Sequence, residues 1–512
     1  MKKIFILAII LFASQAWGAT YYVKSGGNDS AAGTSDETAW AHCPGIDGWT
    51  GSTTLNSGDT VFFRSQDTWI GSRPVLIAET GVTYDGSTYG SGTRATMQPT
   101  NNDQGTKAMV IRVYDSNVTL KGIDVDLNDT YGGGIYIGMY ATSNLSNVTV
   151  DNCIVHNGDL VTFQYHYGIH VGNRNGNTIS NITLKDSSVY DYRNEAIALY
   201  QGWNDPSNRT DTVLIQNCVV YGTARGVLIA NDTDNVTIEN CRFHNNTKSG
   251  VWIRTSPHSD GGEYSVTSGP DNFIIRYNLI YDNIQAGIKI TNCRFYPEGA
   301  TESGIIHNNF FWDNGTNYSD GYELNWDGSG GSNGSDYDGC EYKVYNNTFY
   351  TASNQSTNSA GTISIGWWGE LDGGDFDFQN NIFYIGDTYA FVVRHNESNG
   401  TVTHTNNHYY RSDSSSNAVI WDIYANKKYS RAETTTWEAI AQNTDPDFVN
   451  VSADDYRITS GSDAIDNGAD LSAHFTTDYY GNSRPARFGF DIGAHEYPIY
   501  APVNLRIKAV NP

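Results

Sequence analysis

Basic residues are scarce in this chain. Its 512 residues include 31 Lys and Arg against 56 Asp and Glu, a formal net charge of -25. That shortage excludes a general nucleic-acid binder, whose affinity rests on basic patches against phosphate. It also weighs against a polyanionic ligand, unless a local basic strip or a bound cation offsets it. Long apolar runs are missing as well. The longest, Ile4 to Ala13, is too short to span a bilayer, and no later segment does better, so membrane insertion by a helix is excluded. Proline (12) and methionine (4) are few, whereas Tyr (35), Trp (12) and Gly (52) are plentiful. That balance suits an all-β chain rich in turns.

The short apolar run has a different meaning. Lys2 and Lys3 precede it, and Ala16-Trp17-Gly18 follows with small residues around a cut before Ala19. This is the pattern of a secretory signal peptide over residues 1–18, which predicts an exported protein, extracellular or periplasmic.

What fills the rest is a repeat. The phrase apolar–x–Asn–Cys/Asn–x–apolar–aromatic recurs as VDNCIVH, LKDSSVY, IQNCVVY, IENCRFH, IRYNLIY, IHNNFFW, VYNNTFY, FQNNIFY and HTNNHYY, roughly 23 to 40 residues apart. Apolar and polar residues alternate within it, which is the strand period. Each copy is too short to bury itself, so copies must stack. A second phrase of small–apolar–x–apolar follows in each repeat (GIYIG, GIHVG, AIALY, GVLIA, GVWIR, GIKIT, GYELN, TISIG, AFVVR, AVIWD), and a third strand (NVTL, NITL, NVTI) precedes the first. Three short strands per repeat describe one coil of a parallel β-helix. The Asn column Asn152, Asp186, Asn217, Asn240, Asn308, Asn346, Asn380, Asn406 reads as turn structure. Cys153, Cys218 and Cys241 share one column and read as a stack of thiols. Cys293 and Cys340 flank long loops and are the candidate disulfide. The chain divides into an N-terminal cap with the first coils (19–105), the repeats (106–425), a capping segment (426–497) and a tail (498–512). It reads as one body and a monomer.

The opening phrases YYVKSGGNDSAAGTSDETAW, SGDTVFFR and TYDGSTYGSGTRATM, and the closing NTDPDFVNVSADDYRITSGSDAIDNGAD with DIGAHEY, resemble secreted bacterial right-handed parallel β-helix proteins of the pectate-lyase-like superfamily. The resemblance covers nearly the whole mature chain. It implies an all-β right-handed parallel β-helix of about ten coils, in a setting often related to glycans.

Alternation in the second phrase predicts an outward column of Tyr136, His170, Ala198, Leu228, Trp252, Lys289, Glu323, Ser364, Val392 and Ile420, and a parallel column containing Tyr200, Arg254, Asn325, Arg394 and Asp422. Neighbouring coils lie about 4.8 Å apart. Trp252, Arg254, Lys289, Glu323 and Asn325 are thus expected on one face, below long polar loops, in a groove lined by Trp203, Tyr296, Trp326, Trp367 and Trp368. Aromatic faces in a polar trough suit sugar rings, so the expected partner is a polysaccharide. Two chemistries fit. A lyase eliminating across a uronate needs a cation near the carboxylate and a base; Lys289 beside Arg254 meets that need, as the Lys/Arg pair does in the alginate and chondroitin lyases of this fold that it resembles. A glycoside hydrolase needs two carboxylates, and Glu323 with Asp327, or with Asp260 and Glu263, is the candidate set. A non-catalytic glycan-binding or surface-structural β-helix is the third reading. His170 is a further candidate base. Asp232, Asp234, Asp336 and Asp338 offer oxygen ligands for calcium, without the fixed spacing of a calcium site. The outward ring column His156, Tyr190, Tyr221, His244, Tyr281, Trp312, Tyr350, Tyr384, Tyr410 reads as sheet structure.

Overall fold

The computed structural model describes residues 18–498 apart from 73, 101–108, 131, 159–166, 174, 201–207, 255–268, 292–301, 316–320, 328–334, 337–339, 352–360, 367–370, 373, 387–388, 394 and 397–399. The signal-peptide segment and the tail therefore fall almost wholly outside it. So do Trp203, Tyr296, Trp367, Trp368, Arg394, Cys293, Asp260, Glu263 and Asp338. No described helix is long and apolar enough to cross a membrane.

Alternating short strands stack coil on coil into three long sheets. The first holds thirteen strands, from Thr20–Val23 to Thr401–Thr405; the second twelve, from Thr68–Gly71 to His408–Arg411; the third thirteen, from Leu76–Ala78 to Lys427–Ser430. Pairing within them is parallel until the last strand of the third sheet, which turns antiparallel against Ala418–Asp422 and closes that edge. This is the expected right-handed parallel β-helix. The predicted N-terminal cap is itself coiled: Thr60–Arg64 and Thr83–Tyr89 already belong to the first sheet.

The repeat phrase encodes two adjacent positions with different tasks. The predicted Asn column lies in the left-handed backbone region, with φ from 50° to 59° at Asn152, Asp186, Asn217, Asn240, Asn308, Asn346, Asn380 and Asn406; Tyr277 fills its one gap at 57°. Asn and Asp tolerate that conformation because their short polar side chains bond locally. The next position points inward. It carries Cys153, Ser187, Cys218 and Cys241, then Asn278, Asn309, Asn347, Asn381 and Asn407, all buried. Each of these asparagines from Asn278 to Asn381 sends its backbone N–H and its Nδ2 to Oδ1 of the asparagine one coil on, at 2.9–3.1 Å. The spare Nδ2 hydrogen goes to a main-chain carbonyl, as from Asn309 to Ile275. This ladder is directional, so its last member presents two donors. Glu438 receives both: Asn407 N donates to Oε1 at 2.6 Å and Nδ2 to Oε2 at 3.0 Å. A second buried ladder, Thr223–Asn246–Asn283–Asn314, runs between the second and third sheets and ends on Glu323 in the same way.

Cys340 is buried, and Cys293, its expected disulfide partner, lies outside the described residues. Cys218 and Cys241 are stacked neighbours, the Cys218 N–H pointing at Cys241 Sγ at 3.3 Å.

The C-terminal segment does more than close an end. Residues 426–442 cap the last coil through Glu438 and the bond from Gln442 N to Asn407 O. From there the chain runs back along the outside of the solenoid. Asn308, Asn346, Asn380 and Asn406 bind its backbone at Thr477, Asp491, Ala469 and Asn467. Tyr456 packs on Trp312 and Tyr350, and Phe475 stacks on His307 at 4.5 Å. The outward ring ladder from His156 to Trp312 stacks at 4.2–5.1 Å, and this returning strap covers its far end.

Candidate functional site

The third sheet carries the predicted face, and its register fixes which residues meet. Ile135 to Ile137 pairs with Ile169 to Val171, and pairing continues coil by coil. The outward column is therefore Arg112, Tyr136, His170, Ala198, Leu228, Trp252, Lys289, Asn325, Ser364. Two residues on, Tyr200, Ala230, Arg254 and Thr291 follow one another.

Four expected placements change. Glu323 lies in the position of Gly287, two residues short of Lys289, and is fully buried. A Cβ at Gly250 or Gly287 would come within 3.1 Å of a ladder asparagine, so a longer side chain there turns toward that ladder. Glu323 does so, accepting from Asn314 N at 3.2 Å and from Asn314 Nδ2. Burial, the largest influence, pushes its carboxyl well above the usual range. Trp326 takes the inward position of Ile290 and packs edge-on against Tyr342, Phe376 and Phe378, so it lines no groove. Asn325 replaces Glu323 beside Lys289 but is only 2% exposed. The expected outward Ile420 is inward and buried; Trp421 pairs with Val392 in its place.

Among the described residues, the face is partly exposed in its middle. Towards the N-terminus, Met109, Tyr136, Met139, Tyr167, Ala198, Tyr200, Leu228 and Ala230 form a satellite apolar cluster. His170 is buried there, its ring stacked on Tyr167 at 5.2 Å and near Tyr136 at 5.1 Å. His170 and Tyr200 are thus enclosed and are not surface groups. Past this cluster come half-buried Trp252, Arg254 and Lys289, with Trp252 and Lys289 paired across one strand spacing.

Two further cations join them. Arg225 and exposed Lys248 stand where their coils enter the third sheet. The Arg225 guanidinium lies 4.0 Å from the Trp252 ring centroid and that of Arg254 4.8 Å from it. Glu195, the register partner of Arg225, meets Arg225 Nη1 at 2.5 Å. The Trp252 indole N–H donates to Thr291 Oγ1 at 2.9 Å, which fixes the ring. The charge of Arg225, then loss of hydration, holds the Lys248 ammonium below the usual lysine range. The second-phrase pattern begins at its small residue and so passes over Arg225 and Lys248. The polar residues just before each copy were the signal for them.

Of the acids proposed for calcium, only the side chains of Asp232 and Asp234 are described. Asp234 accepts from Asp271 N and faces Arg209 at 3.7 Å. Among the described residues no three His, Cys, Asp or Glu side chains group as a metal site.

No known family profile and no curated protein matches this chain. Among solved structures, the A-module of the mannuronan C-5 epimerase AlgE6 from Azotobacter vinelandii superposes with a TM-score of 0.52 at 15% identity, over 76% of this chain and 91% of that one. The pectate lyase Pel9A gives 0.46 at 14% identity over 93% and 96%. A rhamnogalacturonan lyase gives 0.42 at 16% over 76% and 87%. At such identities the likeness establishes the fold and nothing beyond it.

Proposed function

We propose that this protein is an exported polysaccharide-active β-helix, and specifically a lyase that cleaves a uronate-containing glycan by β-elimination. One observation carries the reading. In a chain of net charge -25, Arg225, Lys248, Arg254 and Lys289 gather around one tryptophan on the partly exposed middle of the third sheet. Such a local gathering of cations on so acidic a chain suits an anionic ligand. Elimination uses such a patch directly. Cations beside the carboxylate stabilise the enolate formed when the C5 proton leaves. Lys289, as the neutral amine, takes that proton; the C5 electron pair forms the C4=C5 double bond and the C4–O bond breaks. The lysine then returns the proton to the leaving oxygen.

Burial of Glu323, which every candidate acid pair for a hydrolase included, favours the lyase reading over the hydrolase. The test is incubation of the purified protein with uronate polymers and with neutral glycans. New ultraviolet-absorbing unsaturated ends on a uronate polymer are the expected result. New reducing ends without unsaturation make it a hydrolase. Retention of a glycan without any product makes it a binding protein.

A further inference from the structure

Trp252 was expected to offer its face to a sugar ring. Instead, two guanidinium groups lie over it. Arg225 is 4.0 Å and Arg254 4.8 Å from the ring centroid, although they come from different coils. The ring itself is held by its N–H bond to Thr291 and by the edge of the apolar cluster beside it. Arginine stacks on tryptophan through cation–π attraction and its flat shape, while the N–H edges remain free to bond in the plane of the guanidinium. A carboxylate already shows how that edge is used: Glu195 Oε1 sits 2.5 Å from Arg225 Nη1.

Resting on the uronate reading above, we infer that Trp252 is a scaffold for arginines and that Arg225, held on it opposite Glu195, is the residue that selects a carboxylate-bearing sugar over its neutral counterpart. The ligand class is a polymer with free carboxylates. A planar two-oxygen anion matches the guanidinium fork, which a neutral ester or hydroxymethyl group does not. Glu195 orients Arg225 and neutralises part of its charge. Arg225 is then a specificity-determining residue, separate from the base.

The experiment compares wild type, Arg225→Gln, Arg225→Lys and Trp252→Leu on a uronate homopolymer and on the same polymer with its carboxyls methyl-esterified. KM and kcat are read separately, and binding is read by affinity electrophoresis. Wild type should prefer the acidic polymer. Arg225→Gln, which keeps a hydrogen bond to Glu195, should raise KM and Kd for the acid about 10- to 100-fold, with a smaller change in kcat and little change on the ester. Arg225→Lys should recover part of the loss, since it restores charge without the fork. Trp252→Leu should shift KM in the same direction while leaving both arginines present. An Arg225→Gln protein that keeps the wild-type preference for acid over ester, while wild type cleaves or binds the acidic polymer, overturns the assignment and leaves the lyase reading standing. A wild type that ignores acidic polymers and handles a neutral glycan overturns both.

Discussion

Lys289 and Lys248 compete for one chemical role, and their surroundings differ. Lys289 sits in the outward column, directly beside Trp252. Lys248 stands at the edge of the sheet, where Arg225 lowers its proton affinity. The central position favours Lys289 as the base, because geometry precedes pKa in proton transfer. Lys289→Ala should therefore lower kcat about 10²- to 10⁴-fold, and Lys248→Ala should cost far less and act mainly on KM. Steady-state kinetics on the cleaved polymer decides; a larger kcat loss in Lys248→Ala moves the base to that residue. Glu323→Gln is the control, since a hydrolase acid would lose all activity. Here kcat should hold, while stability falls by about 1–3 kcal/mol, because one donor of Asn314 would face an amide NH₂. The misplacement of Glu323 has a simple origin. Its phrase, GYELN, was aligned on Gly321, whereas the strand pairs Leu324 with Ile288. A slip of one residue would have exchanged inside for outside, but a slip of two preserves alternation, so periodicity could not expose it.

At the scale of the element, the asparagine ladders explain why the repeat phrase is so regular. Parallel strands bond only through their edges, and side-chain ladders add a second set of bonds in the same direction along the axis. Polarity follows from carboxamide chemistry: every oxygen faces one way, and the last N–H and NH₂ need two acceptor oxygens, which a carboxyl group supplies. Both ladders end on a glutamate that receives two bonds. Glu438→Gln should thus lower stability by about 1–3 kcal/mol, seen as a drop in Tm, whereas Gln at exposed Glu433 should cost less. Equal shifts in the two variants would remove the terminator role. The Asn column and the coil order were legible beforehand because a turn conformation and an alternating strand are local properties. The terminators were not, because Glu438 lies 31 residues beyond Asn407 and belongs to no repeat. Charges on the first sheet show the same axial logic: Lys121 meets Asp85 at 2.9 Å, Lys185 meets Asp151 at 3.2 Å and Arg276 meets Glu239 at 2.6 Å.

Across the whole molecule, the returning strap covers one side of the solenoid, and it carries several of the buried titratable groups. The opening and closing phrases announced the fold, but no repeat pattern says where a non-repeating segment docks, so the strap was read only as an end cap. Its pH response can be worked out in sign. Burial lowers His495 of the strap to about 3 and, on the coils, His408 to about 4 and His307 as well. In the unfolded chain these titrate near ~6.5, so acidification below that value protonates the unfolded state first and stability falls down to pH about 3. Burial raises Asp491 to about 7, and raises Asp478 and Glu496 too. Unfolded carboxyls titrate near ~4, so between there and pH about 7 the folded state binds the extra proton, and stability falls as pH rises. The two sets oppose each other from about pH 4 to 6.5, and each acts without the other outside that window. Tm is therefore expected to be flat across mildly acidic pH and to fall on both sides. Below pH about 4, Asp413, drawn down to about 2 by Arg411, adds to the loss. His495→Asn, which keeps an acceptor for Ile458 N, should soften the acid-side fall and leave the alkaline side unchanged. Calorimetry from pH 3 to 9 tests this, together with limited proteolysis at the alkaline end. Cleavage appearing first between residues 443 and 497 is the expected result, since the raised acids sit there. A Tm that climbs steadily from pH 4 to 8 would mean that the histidines outweigh those acids and that the strap is not the alkali-sensitive element.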